Sequence, residues 1–228
     1  MTEGRGKSIW DGHFDEASRT LGDTEAANAY LSVRNFVQVR AAVLGLVGDI
    51  RGERVLDVGC GTGHLSQPLA GTNGVTGVDL SSGMLRFAAA KGIAPVKGSG
   101  LDLPFGDGLF DLVLATSVIQ LIPDGEAFAR ELVRVARPGG RIIVTTINAR
   151  NAAIAFFRIV ERKKYRHFRL YSLSGLRRLA AGAGADPRRA VLVYFPFGRT
   201  RRVSGDRGPG FLAGRLATSL IVEAVKRP

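Results

Sequence analysis

The sequence of 228 residues is long enough for one α/β domain with a small addition, and a hydrophobic content of 45% supplies a core, which excludes a disordered chain. No apolar run approaches the roughly 20 residues of a membrane-spanning helix, and residues 1–18 lack the apolar centre of a secretory signal, so a cytoplasmic protein is expected. Cys60 is the single cysteine, which excludes an internal disulfide, and no Cys/His cluster suggests a metal site.

The net charge of +12 conceals an asymmetry. Residues 1–129 carry 10 Lys/Arg against 15 Asp/Glu, and residues 130–228 carry 22 against 5, giving −5 and +17. A basic half can attract RNA, anionic substrates or acidic partners. Arginines scattered over solvated faces are the plainer reading, because basic residues seldom alternate with aromatics as in base-stacking surfaces.

In chain order, residues 1–25 are polar and aperiodic, which predicts a flexible N-terminal arm. Tyr30, Val33, Val37, Ala41 and Leu44 recur at helical spacing, and that helix ends near Gly48. From Glu53 onward, short β-branched runs alternate with helical stretches through Ile147. This alternation predicts βαβ crossovers and a mostly parallel sheet with helices on both faces. Residues 151–163 read as a helix with a basic end, and Ser172 is suited to cap a helix stopped by Gly182 and Gly184. Two late strands, near 190–196 and 219–225, are joined by a loop rich in glycine and arginine over 198–210. Residues 26–228 are expected to form one domain, with 26–48 and 148–171 as a cap over its active face.

The informative stretch is Val55-Leu56-Asp57-Val58-Gly59-Cys60-Gly61-Thr62-Gly63. A buried strand ends in a glycine-rich turn that feeds a helix expected to begin near His64, and in the turn the backbone can take left-handed angles and a ligand can approach without Cβ clashes. Ligands of open α/β sheets bind at this carboxyl end. The next strand ends in Gly77-Val78-Asp79, whose carboxylate can accept both hydroxyls of a ribose. A glycine turn alone also suits dinucleotide-binding folds. The spacing here is GxGxG rather than GxGxxG, and Asp57 stands where it can meet a cationic amino group rather than a pyrophosphate.

These residues resemble the class I S-adenosylmethionine-dependent methyltransferases, in particular the small-molecule subgroup called methyltransferase type 11 or UbiE-like. Four ordered blocks carry the resemblance over about 50–147: VLDVGCGTG, VTGVDLSSGML, LPFGDGLFDLVLAT and ELVRVARPGGRIIV. The resemblance implies a Rossmann-like, doubly wound, mostly parallel sheet of seven strands, with an antiparallel last strand and a helical cap. It implies S-adenosyl-L-methionine as cofactor. Asp57, Gly59, Cys60 and Gly61 would hold its methionine end, and Asp79 its ribose. Leu80 and Met84 would pack on the adenine, Gly100 and Leu101 would line its edge, and Thr116 would sit beside the methionine moiety. Plain core packing explains Met84 equally well, and close helix–strand packing is the preferred explanation of Gly63. Two departures stand out. Ser99 occupies the place of the family's adenine-binding aspartate, and Gln120-Leu121 replaces a His-His pair after the fourth strand.

Methyl transfer from a sulfonium is an in-line displacement that depends on alignment and exclusion of water. A hydroxyl acceptor also needs a positioned base. Of the three histidines, His64 is given a structural role and His13 falls in the arm, which leaves His167 as first choice to face the acceptor, ahead of Tyr165 and Tyr30. The expected acceptor is a small molecule, apolar or anionic, because Ile154, Phe156 and Phe157 lie near Arg158 and Arg162 in the expected cap. Whether O, N or C is methylated stays open. An RNA methyltransferase, marked by salt-dependent binding, and a non-catalytic cofactor-binding partner protein are the alternatives. The glycine spacing disfavours a nicotinamide enzyme.

Overall fold

The β-branched runs assemble into one sheet in the computed structural model, which describes residues 12–28, 32–160, 162, 167–194, 199–204 and 211–228. Its strands are β1 (Arg54–Val58), β2 (Gly74–Asp79), β3 (Ala94–Lys97), β4 (Phe110–Thr116), β5 (Ala136–Ile147), β6 (Ala185–Tyr194), β7 (Arg199–Ser204) and β8 (Ser219–Lys226). They lie in the order β3-β2-β1-β4-β5-β8-β6-β7. The first five are mutually parallel, and β8 inserts antiparallel between β5 and β6. Among the described residues the sheet therefore has eight strands, not the seven expected. The additional strand is β7, which falls inside the expected 198–210 loop and pairs antiparallel with β6.

Strand residues alternate between two cores, so both faces of the sheet must be covered. On one face Val43 and Leu46 of α2 (Val33–Val47) and Leu85 of α4 (Ser82–Ala89) pack with Val55, Leu112 and Ile143. On the other, Phe128 and Leu132 of α5 (Gly125–Val135) and Leu176 of α7 (Leu173–Gly182) pack with Leu56, Val113 and Ile142. Helix starts follow local chemistry. Ser32, Ser81, Asp124 and Ser172 each accept a backbone N–H from the first turn of the following helix.

Three expectations need correction. The N-terminal arm contains a helix, α1 (His13–Thr20), whose acidic face docks on α4. The helix over 33–47 covers the sheet rather than the active face, since Val39, Val43, Leu46 and Val47 are buried in the core. Finally, α3 (Gln67–Ala70) starts three residues after His64 and is one turn long. Two further helices, α6 (Ala152–Val160) and α8 (Phe211–Leu216), follow β5 and precede β8. Among the described residues no helix is long and apolar enough to cross a membrane.

Candidate active site

Strand order reverses between β1 and β4, and the glycine turn sits at the carboxyl end of β1 at this switch point. Gly59, Gly61 and Gly63 have φ of 71°, 55° and 81°. The turn folds back over β2. The N–H groups of Gly59 and Cys60 donate to the Val78 carbonyl at 2.7 and 3.1 Å, and Gly61 N–H donates to Asp79 Oδ2 at 2.9 Å. A Cβ at Gly59 would lie 2.7 Å from the Val118 side chain, so this glycine lets the chain after β4 close against the turn. A Cβ at Gly63 would lie 2.6 Å from Ile93 and 3.1 Å from the Ala88 backbone. Gly63 thus serves close packing against α4.

Two carboxylates flank the turn, Asp57 buried and Asp79 half-buried. Asp57 is 1% exposed and accepts the Ser66 hydroxyl at 2.7 Å. Burial pushes its carboxyl up to about 7; the Ser66 hydrogen bond opposes this and the neighbouring Asp79 charge adds to it. Asp79 is also raised by burial, against hydrogen bonds from the backbone of Ser81 and Gly61. Its Oδ1 accepts Ser81 N–H at 2.9 Å, so both oxygens are held in orientation at the strand end.

The described part of the arm reaches this region. Asp15 of α1 accepts the Ser81 hydroxyl and Gly83 N–H, at the N-terminus of α4. Asp23 pairs with Lys91 and lies 3.7 Å from His64 Nδ1. His64 Nδ1 is itself 2.7 Å from Thr62 Oγ1, which fits the structural role expected of that histidine.

The rim beyond β4 is polar. Thr116 Oγ1 is buried without a hydrogen-bond partner. Ser117 takes φ of 57°, the one non-glycine residue with positive φ among the described residues, and its N–H donates to Thr145 Oγ1 at 2.9 Å. Such strain persists only where the surroundings impose it. Fully buried Gln120 does so here: its Nε2 donates to the Ser117 carbonyl at 2.9 Å, and its Oε1 accepts the Thr146 hydroxyl at 3.2 Å. Arg169 N–H donates to the Gln120 carbonyl at 2.8 Å, which brings the segment after His167 onto the same rim.

The cofactor positions expected from sequence gather at this edge. Leu80 is 42% exposed beside Asp79, whereas Met84 is fully buried and makes core. Ser99 Oγ accepts Leu101 N–H at 3.2 Å within a tight turn, so the hydroxyl serves the local backbone. A Cβ at Gly100 would lie 2.5 Å from the Phe128 ring, so packing beneath the site also demands this glycine. His167 is half-buried in a turn, while Tyr165 and Tyr30 lie outside the described residues. Asp15, Ser66 and Ser117 were missed by the sequence reading. A serine nine residues after Asp57 carries no periodic signal, and Asp15 lies 66 residues from its partner Ser81.

A glycine turn and two oriented carboxylates at the switch point of a doubly wound sheet define a class of nucleoside-binding α/β proteins. Comparison with known proteins narrows the class. Residues 56–144 match the family model described as a methyltransferase domain. The chain is 36% identical over 137 residues to a demethylmenaquinone methyltransferase of Clavibacter sepedonicus, covering 58% of this chain and 55% of that protein. It is 30% identical over 175 residues to a demethylmenaquinone methyltransferase of Mycolicibacterium paratuberculosis, covering 76% and 71%. The first of these matches spans about half of the relative's length. A crystal structure of an S-adenosylmethionine-dependent methyltransferase from Thermotoga maritima, described as a possible histamine N-methyltransferase, shares the fold. Its TM-score is 0.73 at 21% identity, over 96% of this chain and 98% of that one. The chain belongs to the S-adenosylmethionine-dependent methyltransferase family.

The residues present fit that family's cofactor. Asp79 keeps lone pairs beyond those used by two backbone N–H groups, as a ribose diol requires. Leu80 offers an apolar surface beside it for a purine ring, and the orphan hydroxyl of Thr116 supplies an unused polar group at the end of β4.

Proposed function

We propose that this chain transfers a methyl group from S-adenosylmethionine to a small-molecule acceptor held over the carboxyl ends of β4 and β5. The observation that carries this reading is the pair of carboxylates around the glycine turn, buried Asp57 and half-buried Asp79, at the same sheet edge as Thr116 and the strained Ser117. The cofactor, when bound, supplies an electrophilic methyl group on a sulfonium. Asp57 meets the cationic end of its methionine, and Asp79 fixes the ribose. The backbone of Gly59–Gly61 lets the ligand approach, and Ser117, held from beneath by buried Thr145 and Gln120, is the wall that orients the acceptor. Alignment of this kind supplies roughly 7–11 kcal/mol toward a displacement.

The acceptor is an apolar metabolite, a reading supported by the relatives named for demethylmenaquinone and by the uncharged wall at β4 and β5. His167 accepts the proton when the nucleophile is a hydroxyl, since its segment is hydrogen-bonded to Gln120 through Arg169. The described residues between 148 and 171 serve as the cap of a single domain assigned to 26–228, and the protein works in the cytoplasm. Incubating the protein with methyl-labelled S-adenosylmethionine and an extract of the source cells tests this. Label in extractable small molecules is the expected result. Label confined to RNA would reassign the acceptor to the basic half, and cofactor binding without transfer to any fraction would make the chain a binding partner instead.

A further inference from the structure

We infer that α6 is a docking face for the surface of an anionic lipid bilayer. A helix packed on a water-soluble domain normally turns its apolar stripe inward. In α6 the arrangement is reversed. Ile154 is the buried anchor, and at helical spacing Phe156, Ile159 and Val160 fall on the opposite side. Their exposures are 61%, 78% and 62%. Asn151 holds this helix in place: its Oδ1 accepts Ile154 N–H at 3.0 Å, and its Nδ2 donates to the Leu216 and Ala217 carbonyls at 3.2 and 3.1 Å. The second contact sets the end of α8 beside α6 and adds Leu216, 61% exposed, to the apolar surface.

Charge selects the occupant. Arg158 on α6 and Arg162 just beyond its end are exposed, within the half of the sequence that carries +17. An apolar helix face rimmed by cations is the pattern of helices that lie in the headgroup layer of anionic membranes, where insertion and charge attraction act together. A second copy meeting α6 face to face would bring two cationic rims into contact, which opposes self-pairing. Because α6 leaves the carboxyl end of β5, docking would set the mouth of the cofactor site against the lipid, where an apolar acceptor resides. That consequence rests on the proposed methyl transfer, whereas docking itself is measured without turnover.

The test is flotation of the full chain with vesicles of phosphatidylcholine alone and with about 30 mol% phosphatidylglycerol, at about 0.1 and 0.5 M salt. Wild-type protein is expected to float with the anionic vesicles at low salt only. Ile159→Glu should reduce that partition at least about tenfold while leaving S-adenosylhomocysteine affinity unchanged, which certifies the fold. Leu109→Glu, an exposed position at the opposite edge of the sheet, should float like wild type. Failure of wild type to float with either vesicle overturns the proposal, and so does flotation of Ile159→Glu at the wild-type level. A lipid-free dimer abolished by Ile159→Glu would overturn it in favour of a second copy. Flotation without S-adenosylhomocysteine binding would support docking while removing the cofactor reading, so the two failures stay separate.

Discussion

Burial sets the chemistry of Asp57. Its carboxyl stands at about 7 against an ordinary value of 3.8, so the native protein holds this proton more firmly than the unfolded chain. Asp57 therefore contributes stability that falls as pH rises from about 4 toward 7. A cationic ligand group beside the carboxylate reverses the preference, so binding should release a proton near neutrality. Calorimetric titrations with S-adenosylhomocysteine at about pH 6.5, in two buffers of different ionisation heat, should show this release in wild type and none in Asp57→Asn. The same variant should melt no lower than wild type at about pH 8 while binding the ligand at least about tenfold more weakly. For His167, replacement by Ala should lower turnover about 10²- to 10⁴-fold with ligand affinity unchanged. Unchanged turnover would remove it from the reaction. At this scale the glycines and Asp79 were legible in sequence because their spacing is a local signature. Ser117 was not, since its left-handed backbone is held by Thr145 of a different strand and by a Gln120 side chain that turns back onto it only in the folded chain.

Elements are fastened by contacts that sequence periodicity does not show. Glu223 of β8 is buried and accepts from Arg141 of β5 at 2.9 Å and from Arg189 of β6 at 2.8 Å. Arg141 also donates to the Val47 and Leu46 carbonyls at 3.0 and 2.6 Å, placing cationic charge at the C-terminus of α2. The clamp ties α2 to three strands. Glu223→Gln leaves two guanidinium groups without their carboxylate and should cost about 3 kcal/mol, the low end for a buried pair because Arg189 is half exposed. In thermal unfolding this should appear as a melting point lower by about 6–12 °C. The glutamate's pKa is lowered by the two arginines against burial, so its contribution holds above the ordinary carboxylate range and fades as pH falls through it. The strands with continuous apolar runs were legible, as was the capped start of α7. Strand β7 was not: it reads Arg-Thr-Arg-Arg-Val-Ser, with Val203 as its buried anchor, and an edge strand carrying charge gives no alternation to detect. Helix α1 was hidden for another reason, because its docking depends on Asp15 meeting Ser81 and Gly83.

For the molecule as a whole, the parallel order of β1 to β5 was readable from alternating strands and helices, and the ligand edge follows from that order. The charge asymmetry was equally visible, yet its use depends on which faces carry it, and that is a property of the folded surface. The reach of α1 over α4 likewise links the first residues to the cofactor edge only after folding. What unites these levels is the claim that the glycine turn with Asp57 and Asp79 holds S-adenosylmethionine. Calorimetric titration of wild type and Asp79→Ala with S-adenosylhomocysteine tests it most directly. The expected result is one site per chain in wild type and an affinity at least about tenfold weaker in the variant, since a charged hydrogen-bonding partner is lost. Equal binding by the two proteins, or no binding by wild type, would contradict it.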